Sequence, residues 1–202
     1  MRKLIAGVVL GFSLTASAFG AGDPEAGKAS AAVCAGCHGQ NGAAPVMPVY
    51  PKLSGLGETY LHNQLGLIQS GARKIPEMTG ILTGKSDQDL QDMAAYFDQQ
   101  AMPIGKADAA LVERGRQLYR GGNLASGVAA CAGCHSPNGS GNEPAGFPRL
   151  SGQHAEYVEK QLLAYREGER SSGGQSAIMM DIASRLTGAE IKAVANYVSG
   201  LH

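Results

Sequence analysis

Apolar positions recur at helical spacing along most of the chain, and no stretch alternates apolar with polar residues as a half-buried strand would. The pattern predicts a short helix over Glu25 to Val33, with Asp23 as its N-cap and Pro24 in its first turn. A second helix is predicted over Glu58 to Ser70, where Tyr60, Leu61, Leu65 and Ile68 share a face. A third follows over Ser86 to Gln99, with Leu90, Met93, Ala94 and Phe97 as its apolar stripe. Ser86 is a good N-cap, and Asp89 three residues on comes close to a capping box. The same order then returns over Ala110 to Tyr119, Ala155 to Glu167 and Gly188 to Ser199. The expected fold class is all-α.

That return is a sequence repeat, which sets the domain organisation. Cys34-Ala35-Gly36-Cys37-His38 recurs 97 positions on as Cys131-Ala132-Gly133-Cys134-His135. At the same offset Pro51-Lys52-Leu53-Ser54-Gly55 becomes Pro148-Arg149-Leu150-Ser151-Gly152, and Tyr60, Gln64, Gly71 and Arg73 meet Tyr157, Gln161, Gly168 and Arg170. The offset then becomes 101, pairing Met78 with Met179 and Tyr96 with Tyr197. The four extra residues fall in the polar Ser171-Ser172-Gly173-Gly174 stretch, as a loop insertion would. Two tandem domains are expected, 21–103 and 104–202, meeting at Met102-Pro103-Ile104-Gly105. Domains this small bury limited apolar area and often need a further staple. Gly27 and Gly115, at equivalent places, are expected to let Tyr96 and Tyr197 of the last helices pack close.

The N-terminus changes the compartment rather than the fold. Arg2 and Lys3, the uncharged apolar run Leu4 to Leu14, and small residues at Ala16, Ala18 and Gly20 make the pattern of a cleaved secretory signal peptide over residues 1–20. The apolar run is shorter than the ~20 residues a membrane span needs. Periplasmic localisation follows as the expectation. The whole chain has formal charge zero, and −2 without the leader. No clustered basic surface indicates nucleic acid. Residues 21–103 carry a net −3 and residues 104–202 a net +1, a dipole expected to orient docking partners.

Cys-x-x-Cys-His is the attachment signature of c-type haem. Two thiols two residues apart add to the two vinyl groups of one haem, and the adjacent imidazole becomes the proximal iron ligand. Two copies in a matched repeat predict two covalently bound haem c groups per chain, consuming Cys34, Cys37, Cys131 and Cys134, with His38 and His135 on the irons. A thioredoxin-like pair would need a βαβ context, and a zinc site four convergent ligands; neither is legible here. A methionine opposite the histidine raises the reduction potential and suits electron transfer. Met78 and Met179 are the candidates because the repeat pairs them; Met180 is the rival in the second half. Met47, Met93 and Met102, without repeat partners, read as core. His62, His154 and His202 read as surface residues.

Pro51 and Pro148 each lie thirteen residues after a proximal histidine. Their carbonyls are candidate acceptors for its free ring N–H, with a simple turn role as the alternative. Arg73 and Arg170 are candidate partners of the haem propionates, with solvated surface roles as the alternative. Tyr60, Tyr157, Gln64 and Gln161 are weaker candidates for the same edge.

The paired Cys-Ala-Gly-Cys-His motifs, the Pro-Lys-Leu-Ser-Gly and Pro-Arg-Leu-Ser-Gly segments, Glu77-Met78-Thr79-Gly80, Ser86-Asp87-Gln88-Asp89-Leu90 and the closing Tyr197-Val198-Ser199-Gly200-Leu201-His202 resemble the dihaem cytochrome c4 family over essentially the whole chain after the leader. Lys85 departs from the pattern, where similar sequences have an apolar residue. The resemblance implies two class I cytochrome c domains related by a pseudo-twofold, each wrapped around one covalent haem, and His/Met ligation by His38 with Met78 and His135 with Met179. It implies a periplasmic, diffusible or loosely membrane-associated electron carrier rather than an enzyme. The implied donor is a quinol-oxidising cytochrome bc complex, and the implied acceptor a terminal oxidase, notably of the cbb3 type. The competing readings are a haem subunit of a dehydrogenase or oxidase complex, or a dihaem peroxidase, which would need an open iron and acid–base groups beside it.

Overall fold

The computed structural model describes residues 22–202; the leader read over residues 1–20 lies outside them. Among the described residues the secondary structure is helical. The only β pairing among them is two isolated bridges, Asn123 with Val128 and Asn142 with Phe147.

Local chemistry explains where the helices begin. Helix α1 (Pro24–Ser30) opens where Asp23 Oδ1 accepts from the Glu25 and Ala26 amides at 2.9 and 3.3 Å, with Pro24 in the first turn. After the four-residue α2 (Ala35–His38) comes α3 (Glu58–Gln69), then α4 (Asp87–Asp98). Helix α4 has a complete capping box: Asp89 N donates to Ser86 Oγ at 3.1 Å, and Ser86 N donates to Asp89 Oδ2 at 2.8 Å. The second half runs through α5 (Ala109–Gly121), α6 (Ala132–His135), α7 (Ala155–Arg166), α8 (Ser176–Ser184) and α9 (Gly188–Ser199). Helix α9 repeats the capping box with Thr187 and Glu190.

Each half closes around its own core. In the first, α1 crosses α4 and α3 packs on α4, burying Leu61, Leu65, Leu82, Leu90, Met93 and Phe97. In the second, α5 crosses α9, with α7 against α8 and α9, burying Leu118, Tyr119, Leu162, Ile191, Val194 and Val198. The crossings depend on glycine. A Cβ on Gly27 would sit 1.9 Å from Asp92 O, and one on Gly115 would sit 2.3 Å from Ala193 O.

Tyr197 packs at Gly115 as expected; at Gly27 the nearest atoms are those of the Asp92–Met93 backbone, and Tyr96 donates its hydroxyl to Asn41 Oδ1 at 2.8 Å. At Lys85 the backbone carbonyl accepts from Gln69 Nε2 at 2.8 Å, which ties the end of α3 to the segment before α4. Helix α8 was not anticipated. The first-half counterpart of its methionine, Met78, lies in a 3-10 turn, Pro76–Met78.

Candidate functional site

Each Cys-x-x-Cys-His run folds as a single tight turn that carries its histidine inward. His38 and His135 are each 7 % exposed. The next residue takes a left-handed backbone in both halves, Gly39 with φ 75° and Ser136 with φ 68°. At Gly39 a Cβ would lie 2.0 Å from Ala44 O, which restricts that position to glycine. Ser136 is held in place by its hydroxyl, which donates to Gly141 O at 2.6 Å, and by the buried Tyr119, which donates to Ser136 O at 2.7 Å.

His38 Nδ1 lies 2.9 Å from Pro51 O, and His135 Nδ1 lies 2.9 Å from Pro148 O. A carbonyl only accepts, so Nδ1 carries the proton and Nε2 keeps its lone pair. Burial pushes the pKa of both imidazoles down, against the smaller upward effect of the proline carbonyls. The result is neutral imidazole, the form that binds a metal.

The four thiols are unbridged. Burial raises the pKa of Cys34 and pushes that of Cys131 to about 11. Disulfide-exchange enzymes rely on lowered thiol pKa values, so these two positions are unsuited to such chemistry.

In the second half, Cys131, Cys134, His135 and Met179 line one cleft, whose walls are apolar side chains such as Leu162, Ile182, Leu186, Val194 and Val198. Its lining also takes polar residues from both halves: Tyr60 and Gln64 from the first, Tyr157, Gln161 and Arg170 from the second. A flat apolar macrocycle with an anionic edge fits such a cleft. Of the two adjacent methionines, Met179 is the one lining it. In the first half Met78 packs on the core that contains Cys34.

Arg73 and Arg170 are buried at 8 % and 7 % exposure, so they are not solvated surface residues. They form a crossed network between the halves. Arg73 donates to Gln64 at 2.7 Å, to Gln161 at 2.9 Å and to the Tyr157 hydroxyl at 3.3 Å. Arg170 mirrors this, donating to Gln161 at 2.7 Å, to Tyr60 at 2.9 Å and to Gln64 at 3.0 Å. Burial works against the Arg170 charge, but the phenol oxygens of Tyr60, Tyr157 and Tyr165 outweigh it and hold the guanidinium above its ordinary pKa. No carboxylate pairs with either arginine among the described residues.

Other residues at this junction are not among the site residues the sequence predicts. Lys52, 5 % exposed, donates from Nζ to Pro103 O and Gly152 O, each at 2.7 Å. Gln153, 2 % exposed, bonds the Lys52 backbone in both directions. Glu143 Oε1 accepts from the Thr59 amide of α3 at 2.6 Å. Gln153 has no like residue in the other half, where Leu56 holds its place in the repeat. His154 corrects its surface reading: its Nε2 is buried without a hydrogen-bond partner. His62 is half-buried and sits 2.8 Å from Asp87 Oδ1, while His202 is exposed.

Helices of this order around a cysteine-anchored histidine, twice over, define a two-domain c-type haem protein. Comparison with known proteins agrees. The family model for cytochrome c matches residues 24–101 and again 112–202. Cytochrome c4 of Pseudomonas aeruginosa is 52% identical over 202 residues, covering 100% of both chains. The crystal structure of reduced recombinant cytochrome c4 from Pseudomonas stutzeri superposes with a TM-score of 0.87 at 49% identity, covering 90% of this chain and 100% of that one. A more distant relative, a thiosulfate dehydrogenase electron acceptor of Thiomonas intermedia, is 34% identical over 98% of this chain and 91% of its own. The chain belongs to the cytochrome c family, in its dihaem cytochrome c4 branch. It is a dihaem electron-transfer protein of two cytochrome c domains, and its two cysteine pairs fit two covalent haem c groups.

Proposed function

We propose that the protein carries electrons in the periplasm from a quinol-oxidising cytochrome bc complex to a terminal oxidase of the cbb3 type, with His38 and Met78 as axial ligands of one iron and His135 and Met179 of the other. The observation that carries the ligand reading is the single cleft that gathers Cys131, Cys134, His135 and Met179 between apolar walls. The haem supplies a reversible one-electron couple. The chain's own part is to hold each imidazole neutral and oriented through a proline carbonyl, to keep water from the site, and to bring Arg73 and Arg170 to the anionic edge. With both axial positions filled there is no open iron for peroxide chemistry, which sets the peroxidase reading aside. Periplasmic export rests on the leader pattern; among the described residues no helix is long and apolar enough to cross a membrane. The Thiomonas relative's name supports a second class of donor, a thiosulfate dehydrogenase.

Spectroscopy of the purified holoprotein tests the ligands. Two covalent haems per chain and a methionine–iron(III) charge-transfer band are expected, and replacing Met78 or Met179 by Ala should halve that band. Loss of half the band in M180A, with M179A unaffected, would overturn the second-half assignment. For the partners, reduced protein should be reoxidised by membranes containing a cbb3-type oxidase and not by membranes lacking it.

A further inference from the structure

One peptide unit in each domain is shared between a proximal histidine and the opposite domain. The Pro51 carbonyl accepts from His38 Nδ1 at 2.9 Å, while the N–H of the same peptide, on Lys52, donates to Gln153 Oε1 at 2.9 Å. Gln153 returns the bond, its Nε2 donating to Lys52 O at 2.9 Å. In the mirror site the Pro148 carbonyl accepts from His135 Nδ1 at 2.9 Å, and the Arg149 N–H donates to Leu56 O at 3.3 Å. Leu56 and Gln153 occupy the same place in the repeat, 97 positions apart. The device therefore occurs twice, with a short bond to a buried amide in one domain and a longer bond to a backbone carbonyl in the other.

We propose that Gln153 is a positioning residue through which the C-terminal domain tunes the reduction potential of the N-terminal haem. The inference rests on His38 being an axial ligand. Hydrogen bonds in a chain polarise one another. A peptide that gives its N–H to a good acceptor carries more negative charge on its oxygen. That oxygen pulls harder on the His38 ring proton and so leaves more electron density on Nε2. A more electron-rich ligand favours the ferric state and lowers the potential, the lever of hydrogen bonding behind the ligand. The Leu56 carbonyl, at the longer distance, does this less for His135. The Lys52 ammonium acts in the opposite sense at the same junction, and a substitution at Gln153 leaves that cation in place. Two domains of one repeat thus acquire different potentials from one unmatched residue.

The test uses holoprotein with Q153L, which gives Gln153 the side chain of its repeat partner, and Q153E, which keeps an acceptor and makes it anionic while losing the donation to Lys52 O. Potentiometric titration should show the N-terminal haem potential rising in Q153L. The electron distribution between the haems should shift about tenfold, 59 mV for a one-electron couple. In Q153E the potential should return to the unsubstituted value or fall below it. Histidine-selective nitrogen-15 labelling of the reduced protein supplies the second readout. The His38 Nδ1–H resonance should move in Q153L while that of His135 stays. If the unsubstituted protein lacks two ligated-histidine resonances, the ligand reading itself fails. If both are present and neither the His38 resonance nor its haem potential moves in Q153L, the role of Gln153 alone is overturned. Equal shifts at both haems, or the same direction of shift in Q153L and Q153E, would mark general loosening of the junction and would equally overturn it.

Discussion

Single atoms decide whether the helices can cross. An added methyl on Gly27 would meet the Asp92 carbonyl, part of the α4 backbone, which cannot swing aside as a side chain could. G27A should therefore destabilise the holoprotein by about 1–3 kcal/mol, the usual cost of forcing atoms into a packed contact. Gly66 is the counterexample. It lies inside α3 with nothing within 4 Å of an added Cβ, so G66A should stabilise by about 0.5–1 kcal/mol through lost freedom of the unfolded chain. Urea unfolding followed by far-ultraviolet circular dichroism separates the two, and equal effects would remove the packing argument. At this scale the sequence was most legible where chemistry fixes spacing. The two thiols, the following histidine and the proline thirteen residues on were all readable as a set, and both histidines lie 2.9 Å from those carbonyls. Gln153 was not readable, because its importance comes from a partner 101 residues away and its repeat counterpart is a leucine.

Among the elements, helix starts were legible and one whole helix was not. Serine or threonine followed three residues later by an acid writes a capping box into the sequence, and both α4 and α9 begin with one. Helix α8 is not a copy of a first-half helix: its partner segment folds as a 3-10 turn, and α8 follows the four-residue insertion that breaks the repeat. The α9 box is also the more heavily used. Glu190 Oε2 accepts from Thr187 N and Oγ1, each at 2.9 Å, while Oε1 accepts from Arg114 at 2.6 Å and Asn123 at 2.9 Å. The Thr187 backbone N–H is the chief cause that holds this carboxyl below the ordinary glutamate range, against burial, with Asn123, the Thr187 hydroxyl and Arg114 adding to it. A depressed folded-state pKa means stability that is present above the unfolded value, ~4.3, and is lost as pH falls through the folded one. E190Q should therefore be less stable than the unsubstituted protein at pH 7 by about 1–2 kcal/mol, a range that discounts the half-exposed Arg114. The gap should close on acidification below that range. A gap that stays constant from pH 7 to 3 would show that the carboxylate charge contributes nothing.

Across the whole molecule, the domains meet over charge that the protein does not neutralise. Arg73 and Arg170 are buried, bridged by glutamine and tyrosine oxygens, and without a carboxylate among the described residues. Amide and phenol oxygens accept hydrogen bonds from both guanidinium groups but bring no formal negative charge to a junction where taking an ion out of water costs several kcal/mol. Haem propionates beside these arginines would supply the missing negative charge. Because each guanidinium touches side chains of both domains, each should act on both irons. A fixed positive charge favours the ferrous state, so R73Q and R170Q should each lower both midpoint potentials. A unit charge about 10 Å away in a medium of effective dielectric about 20 is worth about 1.7 kcal/mol, or about 70 mV for one electron. R73K and R170K retain the charge and should keep most of the potential, while losing the two-pronged geometry. Salt provides the discriminating measurement. Most of the charges behind the net −3 and +1 of the two halves lie on exposed or half-exposed side chains and should be screened within a Debye length of ~10 Å at 0.1 M, so docking rates should fall with ionic strength. The arginine effect on potential is buried and should persist from low salt to high. A shift that vanishes with salt would place these cations at the surface in solution and detach them from the haem edge.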